Sequence, residues 1–369
     1  MHDCFPLPVI GVPAAGVIRA VMASGKVETV CGSVDPQALS ATMTHEHLFH
    51  KATSSLFAPR PPDPRYAALR DSDMTVHNLW WIVHHPYSHV SNLTFDDSAT
   101  KDVMIEELKF FKKNGGGSIV ECTTFGKDLQ FFKSLSVESG VNIVAGTGYY
   151  VNMSQPAAVH AKTVEQIYNE MKEELFVGED GIKCGIIGEI GTCFPIHDFE
   201  AKVIRAAANV QSEKKSIPVS IHPGRDPRAP FEVVRIFLEA GGSADKLVMC
   251  HLERTLMTND LMFDFAKHGT FLEFDLFGIE NSYYELSDEL EMPSDSVRIA
   301  RLKELIDEGY GNKLLISMDI HTKQRLMAFG GHGFSHILLN TVPKMKMRGF
   351  SQDNIDDILI NNPRTWLTL

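Results

Sequence analysis

The sequence predicts an α/β fold: a (β/α)8 TIM barrel with a long insertion after its first strand and a short N-terminal β arm. Three observations carry this. Eight short apolar runs alternate with amphipathic, helix-like segments. The runs are nearly continuous in apolar residues, which suits parallel strands covered on both faces. Five of them end on His, Glu or Asp residues that could share a site. In a closed barrel all strand C-termini surround one axis, so residues far apart in sequence meet at one face. A doubly wound open sheet would give those side chains no reason to converge.

The elements follow in order. Residues 26–34 (KVETVCGSV) alternate and stop before Asp35-Pro36, as an edge strand or hairpin arm would. Barrel strands are expected at 41–47, 117–123, 142–148, 183–189, 217–222, 246–251, 269–275 and 312–319. Among the helices, 101–113 gathers Val103, Met104, Leu108 and Phe111 on one side. Residues 163–176 open on Thr163, a good cap with a Glu or Gln soon after. Segments 231–240 and 260–267 each run into a glycine stop. The segment 294–308 opens on Ser294 and ends before Gly309, and 352–360 comes last, closed by Asn362-Pro363. The longest connection, 49–97, carries Pro59-Arg60-Pro61-Pro62, Trp80-Trp81 and His84-His85-Pro86. Such a length after a barrel strand suits a lid or an interface.

A chain of 369 residues with 44% hydrophobic content can bury one large core. We divide it into an arm at 1–25, poorly ordered, and a barrel at 26–369. The arm is mildly apolar, but Pro6, Pro8, Pro13 and Arg19 spoil a signal-peptide reading, and Met22 is a plausible internal start. The net charge of −12 argues against a nucleic-acid partner. None of the six cysteines forms a C-x-x-C pair, and Cys122, Cys184 and Cys250 fall in apolar runs. A reduced, cytoplasmic protein with buried thiols is the simpler reading. No apolar run is long enough to span a membrane. A homodimer remains open.

The chemistry lies at the strand ends. His45 and His47 are two apart in a strand, so both point to one face. Glu189 closes GIIGE, His222 closes PVSIH, His251 closes LVMCH and Asp319 closes LLISMD. Taken singly, each His is more readily a core or surface residue. As an ordered set they exceed what one tetrahedral zinc with an open position needs. Four His and two carboxylates fit two divalent ions, with zinc first among the candidates. Glu46, between two inward His, should point away and serve structure.

The order H-x-H, carboxylate, His, His, Asp resembles the amidohydrolase superfamily. Within it THEHL, GEIG, IHPGR, CHLERT and MDI resemble the phosphotriesterase-related proteins, over about residues 26–369. By that resemblance His45, His47 and Asp319 would hold the more buried ion, His222 and His251 the more exposed one, and Glu189 would bridge them. Bacterial phosphotriesterases carry a carbamylated lysine at this place, and Lys183 is out of register for it. Glu189 therefore fits the animal phosphotriesterase-related group. The implied reaction is hydrolysis of a small N-acyl amide, specifically N-acetyltaurine to taurine and acetate, with Asp319 as the proton-transferring residue. A lactonase or promiscuous phosphotriesterase uses the same site, and a metal-stabilised binding protein is the non-enzymatic alternative.

Around the mouth, Tyr150 could touch substrate or anchor its loop, as could Tyr149. Arg225 and Arg254 could bind an anionic substrate tail through paired hydrogen bonds or serve as salt bridges. His321, Lys323 and Arg325 on the last loop are weaker candidates, and His84 and His85 suit a surface or interface. Glu121, Glu253 and Asp275 could fix a His tautomer from behind.

Overall fold

A computed structural model describes residues 25–51, 63–281 and 284–369. Nearly all of the expected arm and the Pro59–Pro62 run lie outside the described residues.

Two short strands, β1 (Val27–Thr29) and β2 (Gly32–Val34), pair antiparallel as a hairpin. Eight parallel strands then follow in sequence order: β3 (Ala41–Glu46), β4 (Gly116–Glu121), β5 (Asn142–Thr147), β6 (Ile186–Gly191), β7 (Val219–His222), β8 (Leu247–Met249), β9 (Phe271–Phe274) and β10 (Leu314–Ile316). The last strand meets the first: Thr44 Oγ1 donates to the Ile316 carbonyl at 3.3 Å, and the Asp319 amide donates to the His45 carbonyl at 3.2 Å. The expected barrel is therefore present, with its expected order.

Helices α1 (Ser98–Lys113), α2 (Leu129–Ser139), α3 (Val164–Phe176), α4 (Asp198–Glu213), α5 (Ala229–Glu239), α6 (Asn259–Ala266) and α7 (Asp295–Asp307) follow successive strands. The Asp97 side chain caps α1, and Thr163 with Gln166 forms the capping box of α3. The sequence reading omitted α2 and α4, although α2 carries clear signals: an Asp128 cap and a left-handed Gly140 stop. Asn362-Pro363 does not close the last helix. A π-helical turn at Asp357–Asn361 leads directly into Asn362–Leu367, where Pro363 occupies the first turn and needs no N–H partner.

The buried apolar residues fall into two groups. One fills the ring between strands and helices, with Met43, Ile187, Met249 and Phe274 meeting Met104, Leu108 and Phe111. The other fills the barrel: Val120, Val144, Ile186, Val248, Phe271 and Leu315. Val27 of the hairpin and Trp366 join this inner group. The Trp366 indole donates to the Lys246 carbonyl at 3.1 Å, so the tryptophan plugs the floor below the strands' N-terminal ends. The opposite face is left for chemistry.

Candidate metal centre

Strict alternation does not explain how the ligand candidates face inward. Met43 lies in the outer apolar layer, so a regular strand would turn His45 outward too. A register shift between Met43 and Glu46 changes the face. The same happens in β6, where the register shifts between Ile187 and Ile190 around Glu189. His251 and Asp319 have φ of 55° and 53°. Neither is a glycine, and this left-handed strain is held at the site by the surrounding packing. Only His222 follows simple alternation, with Ile221 outward.

All six candidates from strand ends come together and are buried. His222 Nδ1 lies 2.8 Å from Glu189 Oε1, His251 Nε2 lies 3.1 Å from the same oxygen, and the two nitrogens are 2.9 Å apart. On the other side His45 Nε2 is 3.7 Å from Glu189 Oε2 and 3.9 Å from Asp319 Oδ1. His47 Nε2 is 3.2 Å from that Asp319 oxygen. Glu189 thus presents one oxygen to each of two donor groups. His45 Nε2 is fully buried and has no hydrogen-bond partner among the described residues. An orphaned imidazole nitrogen beside two carboxylates is what a divalent cation would satisfy. His45, His47 and Asp319 could hold one ion and His222 and His251 another, with Glu189 between.

The charge states divide: against burial, nearby anionic groups raise His45 well above its ordinary value and His251 to about 9, so an arriving cation would displace protons from those two rings. Burial opposes ionisation of Glu189, but His45 and His222 and the hydrogen bonds from His222 and His251 hold its carboxyl well below the usual range. Burial likewise opposes ionisation of Asp319, and His321 and His47 outweigh it. Burial pushes His222 down to about 3, so the ring is neutral and free to ligate.

A layer of carboxylates stands behind the imidazoles. Asp275 Oδ1 accepts from His251 Nδ1 at 2.6 Å. Thr123 Oγ1 lies 2.8 Å from His47 Nδ1 and donates to Glu121 at 2.6 Å. Of the three acids expected here, Asp275 acts directly and Glu121 through Thr123. Glu253 instead accepts from the Leu276 amide and faces Arg298. Glu273 was missed: it lies 3.5 Å from His45 Nδ1, and neither oxygen has a hydrogen-bond partner among the described residues. Its signal was its spacing of two from Asp275 on one strand. Glu46 points away, accepting from Ser317 Oγ at 2.6 Å and from the Met318 and Ile320 amides at 2.9 Å. It clamps the loop that carries Asp319.

The cavity above these residues measures about 510 Å³. Tyr150 lines it, with its hydroxyl 3.2 Å from His222 Nδ1, whereas Tyr149 anchors its loop through Lys162 and Glu170. Arg225 lines it and donates to the Tyr284 hydroxyl at 2.8 Å. Arg254 is 2% exposed, lines the cavity, donates to Thr255 Oγ1 at 3.2 Å and faces His222. Neither arginine has an ion-pair partner among the described residues. His321 bonds to Asp319 and, through Nε2, to the Tyr87 hydroxyl at 2.9 Å. Lys323 pairs with Asp97, and Arg325 bonds backbone carbonyls of Phe277, Met318 and Asp319, so both serve structure. Among the described residues of the long insertion, His50, Tyr87 and Leu93 line the cavity, and His84 and His85 do not. Tyr87 and Tyr284 sit on loops and Leu93 ends the single helical turn Val90–Leu93, and no sequence signal marked them.

Among the described residues no helix is long and apolar enough to cross a membrane. The sequence model of the phosphotriesterase family matches residues 25–367. The N-acetyltaurine hydrolase of Bos taurus is 45% identical over 349 residues, covering 94% of this chain and 98% of that protein. That of Salmo salar is 47% identical over the same share of each. A resiniferatoxin-binding protein from Rhodobacter sphaeroides superposes with a TM-score of 0.87 at 28% identity, over 94% of this chain and 96% of that one. The phosphotriesterase homology protein of Escherichia coli gives 0.72 at 27% identity, over 90% and 99%. With a family match running from the hairpin to the Trp366 plug, the chain belongs to the phosphotriesterase family.

Proposed function

We propose that this chain is a two-metal hydrolase of small anionic N-acyl amides, and that N-acetyltaurine, cleaved to taurine and acetate, is its substrate. The observation that carries the reading is Glu189, unmodified and placed with one oxygen toward each histidine group. Two curated relatives at 45–47% identity are named for N-acetyltaurine. Zinc is the ion we assign, from the imidazole-rich donor set. Bound there, a pair of divalent ions supplies an activated hydroxide and polarises the carbonyl.

The chain's own residues do the rest. Asp319 is held ionised at the edge of the cluster, so it can take a proton and return it to the amine as the C–N bond breaks. His321, hydrogen-bonded to Asp319 and to Tyr87, orients that carboxylate. Arg254 and Arg225 offer guanidinium groups without ion-pair partners to the sulfonate, and guanidinium forks suit such oxyanions. Tyr150 stands edge-on to His222 and narrows the approach to the carbonyl. Cytoplasm is the compartment we assign, since the described cysteines are free thiols.

The test is a panel of N-acetyltaurine, other N-acetyl amino acids, a lactone and a phosphotriester, run with zinc-loaded protein and again after chelation. Acetate release from N-acetyltaurine that is lost on chelation and restored by zinc is expected. Preference for the lactone would overturn the substrate, and no turnover of any member by metal-replete protein would overturn the hydrolase.

A further inference from the structure

A second cavity, of about 400 Å³, lies beside the first. Tyr87, Ile279, Tyr284 and His321 line both and form the partition between them. None of the six ligand candidates lines the second cavity. A water's share of liquid volume is about 30 Å³, so there is room here for a small molecule. The insertion supplies Val83 and Pro86 to its walls, and the chain after β10 supplies Gln324, Arg325 and His332. Three of these residues carry a buried atom with no hydrogen-bond partner among the described residues: Gln324 Oε1, Arg325 Nε and His332 Nε2. Buried polar atoms are nearly always paired, so three in one lining mark a place where something polar binds.

The three atoms differ in what they ask for. Arg325 is 6% exposed, and its terminal nitrogens are taken by the backbone carbonyls of Phe277, Met318 and Asp319, which leaves Nε as an open cationic donor. His332 Nδ1 donates to the Gly333 carbonyl at 3.1 Å. Burial and the charge of Arg325 push this imidazole down to about 3, so the ring is neutral and Nε2 is a bare acceptor. Gln324 Oε1 is a second acceptor. No aspartate or glutamate lines the cavity among the described residues, so a simple cation finds no counter-charge there. A simple anion would leave both acceptors open. A molecule with an anionic end and an ammonium end meets all three. We propose that the second cavity binds a small zwitterion, an amino acid or an aminosulfonate, with its anion on Arg325, its ammonium on Gln324 and His332, and its methylenes against Val83 and Pro86. Guanidinium suits the oxyanion of either kind. The site stands apart from the hydrolase reading, because none of these five residues belongs to the strand-end cluster.

The experiment is calorimetry on zinc-loaded protein with glycine, β-alanine, γ-aminobutyrate and taurine, which vary the spacer and the anion. At least one is expected to bind with an affinity that falls tenfold or more in Gln324→Leu and in Val83→Trp. Neither residue lines the cavity over the cluster, so any binding there stays and separates as its own class of site. Val83 is 42% exposed, so a larger ring can be placed there without disturbing the core, and this variant decides alone if Gln324→Leu does not fold. Ethanesulfonate and ethanolamine each carry one end of the zwitterion and should bind at least tenfold more weakly than the best of the four. Equal binding of all four by the wild type and both variants would overturn the proposal and leave the cavity to water. Ethanesulfonate or ethanolamine binding as tightly as the best zwitterion would overturn it as well, since one end would then suffice.

Discussion

Asp275 holds His251 at two points: its Oδ1 accepts from Nδ1 at 2.6 Å and its Oδ2 from the backbone amide at 3.2 Å. The ring is thereby fixed with Nε2 toward Glu189, and the left-handed backbone at His251 is tied down by the same carboxylate. His45 Nδ1 lies 3.3 Å from Asp275 Oδ2 without a hydrogen bond between them, so one acid stands behind a histidine of each donor group.

Replacing this acid should therefore weaken both sites at once. Asp275→Asn is expected to lower zinc affinity by about 10–100-fold, the usual cost of losing a partner behind a metal-bound histidine. Competition against a chromophoric chelator measures it. Unchanged affinity for both ions would show that the His251 ring is held by packing alone.

Asp319→Asn separates holding from proton transfer. The amide keeps an oxygen for the cluster but cannot take up a proton, so most metal should stay while turnover falls by about 10²–10⁴-fold. Metal analysis and kcat on one preparation decide it. Near-normal turnover would remove Asp319 from the assigned role.

Arg254→Met tests the anion site. A hydrogen bond to a charged group contributes about 1.5–3 kcal/mol, so kcat/KM for an anionic N-acetyl amide should drop by roughly 10–100-fold. A neutral amide of the same length should lose far less, because it has nothing to place on the guanidinium. Equal losses on both would mean that Arg254 serves His222 and not the substrate.

Glu107 on α1 gives a pH prediction remote from the cluster. Burial raises its carboxyl to about 7, against the opposing hydrogen bonds from the Ala328 and Met327 amides. A carboxyl with a folded value above its unfolded value of about 4.5 favours the protonated folded state. Its contribution is complete below about pH 4.5 and is lost as pH rises through 7. Glu107→Gln should therefore gain on the native protein across that window, by on the order of 2 kcal/mol at pH 8. Urea denaturation at pH 4.5 and pH 8 would expose a parallel pH dependence in the two proteins, which would exclude the effect.

The barrel was legible in the sequence because each strand is a compact apolar run and most helices carry a cap or a glycine stop. The ligand candidates were legible as motifs at strand ends. Their inward direction was not: it depends on register shifts beside His45 and Glu189 and on left-handed φ at His251 and Asp319. Alternation alone would have turned His45 outward with Met43. The mouth was the least legible part. Tyr87 and Tyr284 enter it because the insertion is latched to the β9 loop, where Glu285 accepts from the Tyr87 amide at 2.7 Å and from Ser88 Oγ at 2.6 Å. Such a latch joins residues remote in sequence and leaves no periodic trace.

The floor of the barrel has a consequence for biogenesis. Trp366 is among the last described residues to be translated, yet it seals an interior whose first strand is β3. A nascent chain can stack its strands and helices one after another, but its central tube stays open from below until that tryptophan has left the ribosome. Ribosome-stalled or truncated chains that stop short of Trp366 should therefore be the ones that chaperones and proteases capture.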